Sequence, residues 1–326
     1  MSRPAPADLA QSYSLIREGA CALETGRDVV LVRGRDARSW LQGQLSQDLQ
    51  PLATGDSAES LVLSPQGKVD AYCRATVLAD DVVLLDTEGG QGEVLFERLR
   101  RFRLRVKAEL ELGTIGCVMV RGPGSPACLE RAAIRPGELS GEPGAAALGE
   151  RWVVAVPVAW PGYAGFDLLG PVDAPELLEL DVATGDPGAF EAARIEAGLP
   201  AMGRELTEKT IPQEAGSLVE HAVSFTKGCY TGQELVARLD ARGGNVARRL
   251  RGVVLGTTAA EELPSDTVLV SGDREVGRLT SVAWSPGFGA PVALGYVRRD
   301  VVPPLAARLT PGGASAEIRE LPLLIG

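Results

Sequence analysis

Leu61 to Leu63, Val69 to Leu78 and Val82 to Asp86 are apolar runs separated only by Pro65-Gln66-Gly67 and by Asp80-Asp81. Parallel neighbours need a crossover of about a dozen residues or more, so connections this short leave only antiparallel pairing. The spacing therefore predicts a meander rather than alternating βα units. Upstream, Asp28 to Val32 is a short apolar run ending at Gly34-Arg35-Asp36, with Asp36 placed to cap a helix from Ala37 through Leu41. Downstream, Glu93 to Arg101 reads as a helix, with Val94, Leu95, Leu99 and Phe102 at helical spacing. From Arg101 the segment RFRLRVKAELEL alternates apolar and charged residues over a strand's length. That pattern predicts a strand with Arg101, Arg103, Arg105 and Lys107 on one face and Phe102, Leu104 and Val106 on the other. The basic face is either simply solvated or a patch for a polyanionic tail.

Ala127 to Leu148 is rich in Ala, Gly, Pro and Glu and reads as a loop-prone connection around one short helix. Strands are expected over Arg151 to Ala159 and Phe166 to Leu169, and helices over Pro175 to Val182 and Ala189 to Gly198. Beyond Arg251 the texture changes to short strands split by Gly, Pro and Asp: Gly252 to Leu255, Val268 to Val270, Glu275 to Val282, Ala293 to Val297 and Ala306 to Leu309. Such even spacing predicts a small barrel or sandwich of about 75 residues as a separate domain.

Composition narrows the function classes. At 326 residues with 45% hydrophobic content the chain exceeds the size at which one core normally stops growing, so two or three domains are expected. A net charge of -10 disfavours a general nucleic-acid or anionic-membrane binder. The five cysteines, Cys21, Cys73, Cys117, Cys128 and Cys229, are odd in number and never form a CxxC pair. This argues against a disulfide framework or a zinc site and fits a reducing compartment. With no apolar stretch of membrane-spanning or signal-peptide length, the expected location is cytoplasmic. His221 is the one histidine, which disfavours catalytic triads and zinc hydrolase sites.

The densest chemistry lies in FTKGCYTGQELVAR, Phe225 to Arg238, where Lys227, Cys229, Tyr230, Gln233 and Glu234 are punctuated by Gly228 and Gly232. Two glycines this close imply positive φ or close backbone approach, and Gln233 to Arg238 reads as the first turns of a helix. The thiol is then expected on a constrained loop near a helix N-terminus, its pKa lowered by the helix and by Lys227. A tight turn with a half-buried cysteine is the simpler alternative. His221 is a conceivable base for Cys229, against an ordinary surface histidine.

Taken with WLQGQLSQDL (Trp40 to Leu49), RIEAGLP and TIPQEAG (between Arg194 and Gly216), the motif KGCYTGQE (Lys227 to Glu234) resembles the YgfZ family of folate-binding proteins, relatives of the glycine cleavage aminomethyltransferase, or T-protein. The resemblance covers nearly the whole chain. It implies an α+β fold: two interleaved folate-binding lobes with antiparallel sheets in residues 1–240, a C-terminal β-barrel in 250–326, and a central pocket for tetrahydrofolate or a one-carbon derivative. It places Glu196 where relatives hold the pterin edge through a carboxylate, and Phe190 where an aromatic ring faces the folate, the alternative being a core phenylalanine. Arg194, Tyr230 and Gln233 complete the expected ligand-binding set, with Cys229, Lys227 and Asp70 as the candidate catalytic residues and no resident metal.

Two departures from the T-protein bear on activity. Where it carries two adjacent aspartates, GKVDAYCR presents Asp70 and then Ala71, so glycine-cleavage chemistry is not expected. Cys229, which the T-protein lacks, marks the branch. The resemblance therefore implies an accessory protein for Fe-S cluster assembly or repair, and through it tRNA modification, with Fe-S client or assembly proteins as partners. A folate-dependent aminomethyl or methyl transferase is the alternative, so enzymatic activity is left open. A binding module for tRNA or a modifying enzyme, acting through Arg242, Arg248, Arg249 and Arg251, is the third reading, and a linker into the barrel is the simpler account of that cluster.

Overall fold

The computed structural model describes residues 7–140, 152–171, 180–256, 263 and 267–323. The apolar run at Val29 to Val32 is the middle of a longer strand, β1 (Cys21–Arg33). All four of these residues are fully buried, because Val30 and Val32 face one core while Val29 and Leu31 face another. A strand covered on both faces has no need for polar alternation.

The predicted meander is present as β2 (Ser57–Leu63), β3 (Val69–Ala79) and β4 (Val82–Glu88), antiparallel throughout. β4 pairs with the second half of β1, and β1 pairs along its whole length with β5 (Glu109–Arg121). The sheet continues through β8 (Tyr163–Gly170), β7 (Val153–Trp160) and β6 (Leu139–Ser140), giving the order β2-β3-β4-β1-β5-β8-β7-β6. A short β9 (Ala183–Thr184) adds to the start of β1 in parallel. Helices α2 (Ala37–Gln42) and α3 (Gly92–Phe102) cover one face over Val30, Val32, Ala75, Val83 and Leu85. Val29, Leu31, Leu84, Ile115, Val154 and Leu169 form a single cluster on the other face. Because that cluster joins residues of β4 and β7, strands well apart in the sheet, the sheet curls into a half-barrel around it.

The remaining helices are α1 (Leu9–Glu18), α4 (Ser125–Arg131), α5 (Pro187–Ala197), α6 (Leu218–Ala222) and α7 (Gln233–Asp240). The late strands form a closed antiparallel barrel, β10 (Arg248–Leu255), β13 (Ala290–Arg298), β12 (Arg274–Ser285), β11 (Val268–Ser271), β14 (Leu305–Thr310) and β15 (Ser315–Arg319). The sequence reading lacked β15, whose five residues alternate around only two buried side chains, Ala316 and Ile318. The helix expected at Pro175 to Val182 lies mostly outside the described residues.

The reading of RFRLRVK as a strand is corrected. Arg101 and Phe102 end α3, residues 103–108 are irregular, and pairing begins only at Glu109. Arg105 takes φ +58, which breaks any extended run. Leu104 is 79% exposed while Val106 packs on the core, so the alternation does not divide a buried face from a wet one. Asp36 also works differently from expectation. It precedes α2 but makes no side-chain cap there, and its Oδ2 accepts the Lys107 N–H at 2.9 Å.

Candidate functional site

The half-barrel's inner face changes character along its strands. Period-2 alternation puts Arg27 with Val29 and Leu31, Asp86 and Glu88 with Leu84, Arg121 and Met119 with Ile115, Asp167 with Leu169, and Trp160 with Val154. One end of the face is therefore apolar core, and the other lines a cavity of about 110 Å³ with Glu59, Tyr72, Arg74, Arg194 and Pro200.

The cavity floor is an ion-pair lattice. Arg74 donates from Nε and Nη2 to Asp86 at 2.9 and 3.0 Å and from Nη1 to Asp167 at 2.8 Å. Arg121 donates to the other Asp167 oxygen at 2.8 Å, and Arg27 pairs with Asp86. Burial alone would raise the Asp167 pKa, but the guanidiniums of Arg121, Arg74 and Arg27 outweigh it and hold the carboxyl far below the usual range. The Arg121 guanidinium lies 4.3 Å from the Trp160 ring centroid, and its buried Nε has no acceptor among the described residues. Cys73 also lines the cavity, its thiol pushed up to about 12 by burial. Glu88, raised by burial, spends one oxygen on a 3.4 Å bond from the Met202 N–H.

The residues singled out from sequence fall into separate places. On α5, Arg194 lines the cavity, with its guanidinium held by Glu191 at 2.7 and 2.9 Å, Glu205 at 3.2 Å, the Leu199 carbonyl and the Ser281 hydroxyl. Phe190 and Glu196 sit on other faces of the helix. Phe190 is buried among Tyr13, Ile16, Cys21 and Tyr163, so the core reading fits it better than ligand contact. The Glu196 carboxylate is 1% exposed and receives three hydroxyls, Tyr13 at 2.8 Å, Ser285 at 2.5 Å and Tyr163. Buried and accepting three hydroxyls, the Glu196 carboxylate, expected from sequence to read a pterin edge, stands at a junction joining α1, β8, α5 and the barrel and is not among the residues lining the cavity.

Asp70 lies elsewhere again. Its carboxylate accepts from Arg98 Nε at 2.5 Å in a second cleft lined by Gln91, Val94, Met202 and Thr207.

Lys227, Cys229 and Tyr230 do share one loop, with Gln233 at the start of the helix that follows it, and the loop is pinned from both ends. The Lys227 ammonium donates to the carbonyls of Gln42, Leu45 and Gln47 at 2.7, 2.8 and 2.8 Å, which uses all three of its protons. Burial pushes Lys227 down to about 8, with Asp48 pulling the other way. Lys227 Nζ also lies 5.3 Å from the Tyr230 ring centroid, and burial raises that phenol to about 12. The Thr231 N–H reaches the Gly43 carbonyl at 3.1 Å, and Gln233 Oε1 accepts the Tyr230 N–H at 3.0 Å. Lys227 and Gln233 thus serve the loop's own geometry.

Gly232 takes φ +81, and a Cβ there would collide with Ser64 O and Leu63 Cβ, so the expected glycine constraint is real at that position. At Gly228 there is neither positive φ nor any atom near a built Cβ. Cys229 itself is exposed and makes no hydrogen bond among the described residues, in contrast to the buried Cys21, Cys73, Cys117 and Cys128. The half-buried alternative for Cys229 is therefore set aside. His221 is exposed on α6 and makes no hydrogen bond to Cys229. Among the described residues no group of three His, Cys, Asp or Glu could hold a metal ion.

The profile of the GCVT N-terminal domain matches residues 24–227, and that of the glycine cleavage T-protein C-terminal barrel domain matches residues 248–319. The chain belongs to the glycine cleavage T-protein family. Among its relatives is an aminomethyltransferase of Rubrobacter xylanophilus, 30% identical over 90% of this chain and 77% of that protein. The tRNA-modifying protein YgfZ of Edwardsiella ictaluri is 28% identical over 66% of this chain and 65% of its own length. The crystal structure of the glycine cleavage system aminomethyltransferase T from Bartonella henselae superposes with a TM-score of 0.80, covering 99% of this chain and 91% of that one at 22% identity, which shows the shared fold. The resemblance read from WLQGQLSQDL, RIEAGLP and KGCYTGQE is thus borne out, as is the α+β fold with a closed barrel. Among the described residues no helix is long and apolar enough to cross a membrane.

The sequence reading missed the cavity lattice of Arg27, Arg74, Asp86, Arg121 and Asp167. Its signal was present: charged residues at inward-facing positions of otherwise apolar strands are retained only when paired or used.

Proposed function

We propose that this T-protein family member binds tetrahydrofolate, or a one-carbon derivative of it, and supports Fe-S cluster assembly or repair, and thereby tRNA modification, through Cys229. The observation that carries the reading is an exposed thiol on a loop fastened by Lys227, set apart from a charged and aromatic cavity. Ligand binding and thiol chemistry then belong to different parts of the molecule. The cavity residues suit a pterin: Glu59 and Glu88 are acceptors for adjacent N–H and NH₂ donors, Tyr72 and Trp160 offer ring faces, and Arg121 Nε still lacks an acceptor. Bound folate supplies a one-carbon carrier, and the chain's part is to orient it and exclude water. A lone exposed thiol suits transient capture of a client's metal or sulfur better than a resident cluster. In the same reading residues 1–240 form the ligand-binding lobes, 250–326 the barrel domain, and Fe-S client or assembly proteins are the partners of the Cys229 loop in the cytoplasm.

The second reading, a folate-dependent aminomethyl transferase, is favoured by the Rubrobacter relative's extent of match. It is weakened by Ala71 and by the engagement of Asp70 with Arg98. The arginine cluster at the barrel entrance supports a tRNA-binding module least, since Arg248 pairs with Glu214, Arg249 donates to the Gly244 carbonyl and Arg251 pairs with Glu320.

Calorimetric titration of tetrahydrofolate into the reduced protein tests the proposal. Binding should persist in Cys229→Ser, which should nonetheless fail to restore Fe-S enzyme activity in cells lacking the protein, and should be lost in Trp160→Ala. Absence of binding to the wild-type protein would refute the folate reading. Turnover of a methylamine donor that depends on Asp70 would establish the transferase instead.

A further inference from the structure

The segment between α3 and β5 carries chemistry that the cavity and the thiol loop do not use. Arg101 to Arg105 are all exposed, with Leu104 at 79% and Phe102 at 36%, the latter under the Arg98 guanidinium at 4.0 Å. Beside them lies an open concavity of about 910 Å³, lined by Arg33, Arg35, Arg103, Lys107, Asp81 and Glu109. Arg33 is held by Glu111 at 2.6 Å, and Arg103 Nη1 donates to the Ala108 carbonyl at 2.6 Å. Arg105 and the Lys107 ammonium have no ion pair or hydrogen bond among the described residues, and Arg35 has only Asp36 at 3.7 Å. The loop is nevertheless fixed in place. Its Lys107 N–H is bound by Asp36, its Lys107 carbonyl accepts the Asp36 N–H at 3.3 Å, and Arg105 sits at φ +58. Non-glycine residues adopt the left-handed region sparingly, a strain that clusters at ligand clamps.

We propose that this loop and concavity form a docking surface for an acidic, leucine-bearing peptide segment of a partner protein. Charge complementarity argues for the acidic part. On a molecule of net charge -10, unpaired cations held together on one preorganised loop attract a short anionic segment at close range without attracting polyanions generally. The apolar tip selects among anions. Leu104 between Arg103 and Arg105 gains nothing from a phosphodiester backbone, and it gains burial against an apolar side chain flanked by carboxylates. A concave surface also fits a peptide better than a flat bilayer.

The probe is a fluorescein-labelled peptide of alternating glutamate pairs and single leucines, titrated by fluorescence anisotropy into the full chain. Binding should weaken about tenfold or more between low and moderate salt, and by a similar factor in the double variant Arg105→Ser/Lys107→Ser. Leu104→Ser should weaken the leucine-bearing peptide several-fold while leaving an all-glutamate control unchanged. Circular dichroism melting confirms that the variants stay folded, as expected for exposed positions. The proposal is overturned if the peptide does not bind, if the variants bind as wild type does, or if an RNA oligonucleotide or anionic vesicles bind this loop more tightly than the peptide.

Discussion

At the scale of single residues, the candidate site depends on groups that are saturated by their surroundings and groups that are not. Glu196 belongs to the first kind. Glu196→Ala strands the hydroxyls of Tyr13, Tyr163 and Ser285, at a cost of about 1–3 kcal/mol for each one left without an acceptor. A fall in the urea unfolding midpoint checks this, and an unchanged midpoint would contradict the junction described for that carboxylate. Asp167 is also saturated, by Arg74 and Arg121. Removing one partner of a buried pair costs about 3–5 kcal/mol, so Asp167→Asn should be strongly destabilising at neutral pH. Its folded pKa lies below the ordinary 3.8, so its stabilisation is present above that value and is lost only as pH falls through the lower folded pKa. The gap between wild type and variant should therefore persist at mild acidity. Lys227 follows the same sense in a higher pH range, although here it is the charged form that burial disfavours. Lowered from 10.5 to about 8, it contributes stability that is fully present above 10.5 and is lost as pH falls through about 8. Relative to Lys227→Met, wild-type stability should thus rise between those two pH values in paired denaturation curves.

At the scale of elements, the Cys229 loop is positioned by the turn before α7 and by the hairpin between β2 and β3. Gly67 and Gly232 face each other across this contact with φ +76 and +81. Gly232→Ala must move backbone as well as enter the left-handed region, and should cost about 1–3 kcal/mol and change the alkylation rate of Cys229. Gly228→Ala has open space and ordinary φ, and should leave both unchanged. The sequence suggested that both glycines mattered, yet only the tertiary contact tells them apart. The elements themselves were largely legible. The β2-β3-β4 meander and helices α3, α5 and α7 follow from turn residues and periodicity, which act locally. The strand expected over Arg101 to Leu112 holds from Glu109 on, whereas Arg101 to Ala108 departs from it because a two-residue alternation exists there by composition alone, while α3 extends into it and Arg105 leaves the extended region.

At the scale of the whole molecule, α5 couples the half-barrel to the barrel. Ile195 packs with Leu250, Val292, Leu294, Tyr296 and Leu323, while Arg194 bonds Ser281 and Glu196 bonds Ser285. A shared apolar cluster and two polar ties make independent unfolding of the barrel costly. Single-tryptophan variants retaining Trp152 in the sheet region or Trp284 in the barrel should give coincident urea midpoints, and separate transitions would show that the coupling is weak. The sequence by itself determined the antiparallel meander, the terminal barrel and the family, because turn chemistry, strand spacing and a dense motif are properties of neighbouring residues. The tertiary structure alone decided that Arg27, Arg74, Asp86, Arg121 and Asp167 meet in one cavity, that Glu196 turns away from it, and that Lys227 serves backbone carbonyls. Each of these depends on which residues the curled sheet and the packed helices bring together, from 12 residues apart for Arg74 and Asp86 to 185 for Lys227 and Gln42, and side-chain order along the sequence carries no direct signal of that.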